Sequence, residues 1–72
     1  MSEEWSNGKI IWITPRPGPE GSTSWEVIYE LEDDPENLKQ ILLPQAGLYP
    51  DAKKGDRMRI KTTDPPAIEP RS

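Results

Sequence analysis

Between Ser24 and Glu32 the chain alternates. Trp25, Val27, Tyr29 and Leu31 fall on one side of an extended backbone, and Ser24, Glu26, Glu30 and Glu32 share the other with Ile28. Successive side chains of a strand point to opposite faces, so this segment reads as a half-buried antiparallel strand over residues 23–32. Lys9-Ile10-Ile11-Trp12-Ile13-Thr14 is short, β-branched and aromatic, and reads as a second strand over 8–14, buried wholly or in part on both faces. Met58, Ile60 and Thr62 alternate with Arg57, Arg59, Lys61 and Thr63, which predicts a third over 56–63 with one face in the core and the other basic.

Proline sets the punctuation. Pro15, Pro17 and Pro19 fix φ at alternate positions and remove amide donors, so residues 15–22 read as a loop, partly polyproline II, with neither helix nor central strand. Asp34-Pro35-Glu36-Asn37 matches a type I turn, with Asp first and Pro second. A hairpin closed there pairs Glu32 with Lys39, Tyr29 with Leu42 and Ile28 with Leu43, making 38–44 the fourth strand. The rival reading is a short helix over 35–43, with Asp34 as N-cap and Leu38, Ile41 and Leu42 on one face. Gln45 to Lys54 reads as a loop pinned by Leu48 and Tyr49, and Lys54-Gly55-Asp56 as a tight turn into the basic strand. Asp64-Pro65-Pro66 halts that strand.

Four short strands and at most one short helix predict a small single-domain all-β fold, a β-meander or β-barrel of the OB-like or SH3-like kind. The expected organisation is a flexible N-terminal arm over 1–7, a β-barrel domain over 8–64 and a proline-rich tail over 65–72, in which Ala67 to Ser72 is at best a short edge strand. Barrel closure would remove the exposed edges of a chain too small to cover them with helices. At 72 residues, with Leu, Ile and Val numbering 13 and no Phe, the core is thin. Completion by a second copy, a homo-oligomer, is one way to thicken it.

With no Cys and no His, disulfide frameworks, zinc fingers, thiolate nucleophiles and imidazole bases are excluded together. The hydroxyls of Ser22, Thr23 and Ser24 have no imidazole to activate them, and the five lysines sit in polar contexts that give no reason for a depressed pKa. Counting a calcium loop from Asp33 puts Pro35 and Leu38 where an oxygen ligand and a glycine belong. Gly18 and Gly21 lack the spacing and the helix of a dinucleotide fingerprint. No catalytic, metal or cofactor site is expected, and the chain reads as a binding module. The start of the sequence lacks a signal peptide's apolar stretch and no segment approaches the length of a membrane span, so a soluble protein of the cytoplasm is the expectation.

Charge is unevenly spread under a net −4: residues 1–36 hold two bases against nine acids, and residues 37–72 seven bases against four acids. Lys9, Trp12, Arg57, Arg59 and Lys61 form the candidate nucleic-acid or partner face, an aromatic platform beside a positive groove. Arg16, Pro17 and Pro19 form a candidate protein-docking loop. The bland alternatives are a solvated strand face and a tryptophan in the core.

Gly8-Lys9-Ile10-Ile11-Trp12 resembles the opening strand of cold-shock domains, and Lys54-Gly55-Asp56-Arg57-Met58-Arg59-Ile60 resembles the glycine-led late strand of small OB-type and SH3-like barrels. The likeness spans twelve residues, and the aromatic-rich RNA-contacting motifs of the cold-shock family have no counterpart here. It implies a barrel topology and assigns no family. Two functions follow as expectations: a non-enzymatic regulator or adaptor that binds a protein partner, or an OB-like module for single-stranded nucleic acid. The pI near 4.7 favours the first, because the acidic first half repels phosphate.

Overall fold

All four expected strands form, and a fifth joins them. A computed structural model of the chain describes residues 5–63 and 65–71. The strands are β1 (Trp5–Pro17), β2 (Thr23–Leu31), β3 (Asp34–Pro44), β4 (Arg57–Lys61) and β5 (Ala67–Pro70), all antiparallel in one sheet of order β3-β2-β1-β4-β5. The sheet is open, with β3 and β5 at its edges, and among the described residues there is no α-helix. Among the described residues, two three-residue 3-10 turns, Pro19–Gly21 and Gln45–Gly47, and an isolated parallel bridge between Leu48 and Ile68 complete the regular structure. The Asp64 part of the expected strand terminator, residues 1–4 of the expected arm and residue 72 of the expected tail lie outside the described residues.

The core is one face of this sheet. Ile10, Val27, Tyr29, Leu43, Met58, Ile60 and Ile68 are buried, and Ile13, Trp25, Leu31, Ile41, Leu48, Tyr49 and Ala52 pack around them. The stripe read from β2 is therefore the inward one. Gly8 lies between β2 and β4, opposite both Leu31 and Met58, and a methyl group there would collide with the Glu30 carbonyl oxygen.

Four expectations need correction. Strand pairing includes residues 5–7 of the expected arm, because Trp5, Ser6 and Asn7 pair with Lys61, Ile60 and Arg59. The segment 67–70 is an edge strand that buries Ile68 against Ile60, since the apolar Ile68 is worth more inside than in a solvated tail. Residues 15–17 are strand rather than loop. β4 pairs only with residues 5–9 of β1, so Pro15 and Pro17 lie where β1 has lost one neighbour. The Gly18 N–H donates to the Ser22 carbonyl at 2.7 Å, which puts the amides of Arg16, Thr14 and Trp12 on the β2 side and the two proline nitrogens on the open side. No ladder bond is lost there, which is the position at which a sheet tolerates proline.

The fourth correction is the hairpin register. It is a hairpin and not a helix, but Tyr29 faces Lys39, Ile28 faces Gln40 and Trp25 faces Leu43, three residues away from the expected pairing. The chain turns at Glu32-Asp33, not over 34–37, and Leu31 pairs with Asp34. Pro35 to Leu38 then bulge out opposite Glu30 before the ladder resumes at Lys39, so Pro35 occupies an irregularity where its missing donor is harmless. The Asn37 amide donates to both Asp34 carboxylate oxygens at 3.0 and 3.1 Å and ties the bulge together.

Candidate functional site

One residue decides what the outer half of β1 presents. Ile10 faces Tyr29 and Trp12 faces Ile28, so Ile11 is an extra residue in β1, a β-bulge. Strict alternation from Ile10 would send Trp12 into the core and Ile13 to solvent; the bulge reverses this. Ile13 joins the core side opposite Val27, and Trp12 stands 51 % exposed with the Lys54 ammonium 5.0 Å from its ring centroid.

Below Trp12 the core opens into a groove between β1 and the segment after β3. Two adjoining clefts share Ile13, Trp25 and Ala52: one is closed by Gln45, Leu48, Tyr49 and Pro50, the other by Trp12, Pro15, Lys53 and Lys54. They measure about 260 and 250 Å³. The lining is aromatic, aliphatic and proline, with two exposed lysines at one rim. The far wall is tied together by hydrogen bonds. The Tyr49 hydroxyl donates to Asp56 Oδ2 at 2.8 Å, the Lys53 N–H donates to the same oxygen at 3.2 Å, and the Asp56 N–H returns a bond to the Lys53 carbonyl at 3.2 Å. Burial, and then the Asp56 carboxylate, push the Tyr49 phenol far above its ordinary value. Burial alone raises Tyr29.

The candidate basic face does assemble, without its expected tryptophan. β1–β4 pairing sets Lys9 against Arg57 and Asn7 against Arg59, and Lys61 completes the row beside Trp5. Trp12 lies beyond the bulge, apart from this row. Trp5 takes its place, with the Arg59 guanidinium 4.8 Å and the Lys61 ammonium 5.6 Å from its ring centroid. Counting back by twos from Lys9 through Asn7 reaches Trp5, so the period-two pattern already placed it on this face. The cations are largely answered locally. Arg59 pairs with Glu69 at 2.6 Å, and the cleft between Lys9 and Arg57 is also lined by Glu30 and Glu32, the latter bound by Arg71.

The candidate docking loop is split by the fold. Arg16 is held by Glu26 on the outer face, Nη2 to Oε1 at 2.5 Å. Pro17 ends β1, and Pro19 opens the 3-10 turn, where its carbonyl accepts the Ser22 hydroxyl at 2.8 Å and the Ser22 N–H at 3.1 Å. Glu20 in that turn has a positive φ of 59°; φ is positive as well at Gly21, 78°, and at Gly55 before β4, 90°. Only Pro15, two residues earlier, reaches the groove. Trp25, expected in the core, lies at its margin and forms the groove floor. No loop-level signal pointed to Leu48, Tyr49 and Ala52 as groove walls.

Among the described residues no group of three or more Asp or Glu is placed to hold a metal ion, and no helix is long and apolar enough to cross a membrane. No protein family, curated protein or solved structure matches the chain.

Proposed function

We propose that this chain is a non-enzymatic binding module, a regulator or adaptor that docks an extended peptide segment of a partner protein in the groove beside β1. The observation that supports the reading is the groove itself: Trp12, Trp25 and Tyr49 line it together with Ile13, Pro15 and Pro50, with Lys53 and Lys54 at one rim. Aromatic-lined grooves of this kind take proline-bearing segments in polyproline II form, because such segments are already extended and lose little entropy on docking. This is the use to which SH3-like domains put their surface, and it is the sense in which an SH3-like reading is retained. The two lysines favour a ligand with an acidic residue beside its prolines.

The alternative, single-stranded nucleic acid on the basic face, has the row Lys9, Arg57, Arg59 and Lys61 in its favour. It is the weaker reading, because stacking a base on Trp5 has to displace Arg59 and Lys61, and phosphate near Lys9 meets Glu30 and Glu32.

One titration separates them. Tryptophan fluorescence and amide shifts are followed while adding an acidic proline-rich peptide, its neutral counterpart and oligo-dT. The expected result is a response to the acidic peptide centred on Ile13, Trp25 and Ala52, weaker for the neutral one, and none to oligo-dT at physiological salt. Binding of oligo-dT that is lost in the triple variant Arg57→Ser, Arg59→Ser, Lys61→Ser would replace this reading with the nucleic-acid one.

A further inference from the structure

An open sheet has edges that must be dealt with, and this one treats them unequally. The open side of β1 is blocked by Pro15 and Pro17. β5 is four residues long, ends at Pro70 and carries Glu69 bound to Arg59. β3 is different. From Gln40 to Leu43 it holds no charge, in a chain that is 31 % charged, and its two most exposed apolar residues are Leu38 at 61 % and Leu42 at 59 %.

The ladder phase gives these residues a geometry. With Trp12, Thr14 and Arg16 bonding across to β2, the backbone groups of Trp25, Val27 and Tyr29 face β3, where they meet Leu43, Ile41 and Lys39. The N–H and C=O groups of Gln40 and Leu42 therefore point off the sheet, and the same alternation continued back to Leu38, the last residue of the bulge, gives it the same side. These three residues are evenly spaced about Gln40.

We propose that β3 pairs antiparallel with β3 of a second copy, about a two-fold axis at Gln40, joining two five-stranded sheets into one. In this register Gln40 meets its own counterpart and Leu38 of each copy meets Leu42 of the other, so both exposed leucines are covered and all three outward backbone positions are bonded. Lys39, held by Asp34 at 3.7 Å, lies opposite Ile41, and Glu36 opposite Pro44, so no like charges meet. Moving the axis to Lys39 sets lysine against lysine and Leu42 against Glu36, and moving it to Ile41 leaves Leu38 against Pro44. Of these three registers, only the one at Gln40 pairs leucine with leucine, and it covers both exposed leucines of each copy. Five residues a side fall short of the roughly 800 Å² per partner of a standard interface, so the dimer is a weak, concentration-dependent one. It uses none of the groove residues and stands apart from the peptide-binding proposal.

The test is a concentration series by analytical ultracentrifugation on the full chain, with amide exchange at Gln40 and Leu42. The parent is expected to dimerise within a range reaching about 1 mM, with both amides more protected at high concentration. Leu38→Lys with Leu42→Lys puts lysine against lysine across the axis and is expected to abolish association. Leu38→Glu with Leu42→Lys puts opposite charges together and is expected to restore it. Both pairs of changes fall on exposed side chains, and melting curves check that the monomers fold. A parent that stays monomeric throughout, a dimer indifferent to the double-lysine variant, or protection at Gln40 and Leu42 that ignores concentration would each overturn the proposal; the first and the last are read on the parent alone.

Discussion

The two halves of β1 are one continuous strand with opposite fates. Residues 5–7 pair with β4, Gly8 and Lys9 are flanked by both β2 and β4, and Ile10, facing Tyr29 of β2 on one side and held by the Asp56 carbonyl and the Gly55 N–H on the other, is buried completely. Residues 12–17 keep only β2, and there Trp12 is exposed and two prolines occupy the open side. A strand with two neighbours is committed to the core, whereas a strand with one has main chain and side chains to offer. The bulge at Ile11 is the joint between these regimes, and it turns an inward tryptophan outward without breaking the strand.

The contrast can be broken most severely at Ile10. Ile10→Ala is expected to cost about 2–5 kcal/mol, a large share of the stability of so small a domain, and to leave it largely unfolded in urea melts. Trp25→Ala at the boundary should cost less, about 2–3 kcal/mol, because the ring is only partly buried, and should abolish the peptide response. A melt within a few degrees of the parent would mean that Trp25 serves the groove alone.

Tyr49→Phe removes the bond to Asp56 and should cost about 1 kcal/mol at neutral pH. It also sharpens the picture in alkali. A tyrosine whose folded pKa lies above its ordinary 10.0 favours the folded state fully below that value, and this contribution is lost as pH rises through the folded pKa. Parent stability should therefore fall above about pH 10, and the fall should be shallower in Tyr49→Phe, with Tyr29 supplying the remainder. Equal slopes would show that Tyr49 is not held by this wall. The smallest stability effect belongs to Trp12→Ala, within about 0.5 kcal/mol, together with a weakened peptide response.

Much of the architecture was legible because it rests on alternation. Trp25, Val27, Tyr29 and Leu31 reported the inward face of β2, and Met58 and Ile60 that of β4. The misreadings share a cause, since each involves a residue whose placement depends on a partner strand. Whether Pro15 and Pro17 fit a strand depends on where β4 stops. Whether Asp34-Pro35 turns or bulges depends on Trp25 finding Leu43, a pairing that buries Leu43 completely and outweighs good local turn chemistry. Ile11 carries no mark of a bulge; it is the demand for both Ile10 and Ile13 in the core that creates one. The candidate basic row was legible by parity, while the groove was not, because its far wall comes from the irregular segment 48–54.

Site-resolved amide exchange along β1 of the unliganded protein tests the central contrast most directly. The Ile10 N–H donates to the Asp56 carbonyl at 2.9 Å and should be among the slowest to exchange, whereas the Ile13 N–H, in phase with the two proline nitrogens and directed away from β2, should exchange far faster. Equal protection at Ile10 and Ile13 would mean that β1 keeps a second neighbour beyond the bulge, and the division of this strand into a core half and an open-sided half would be wrong.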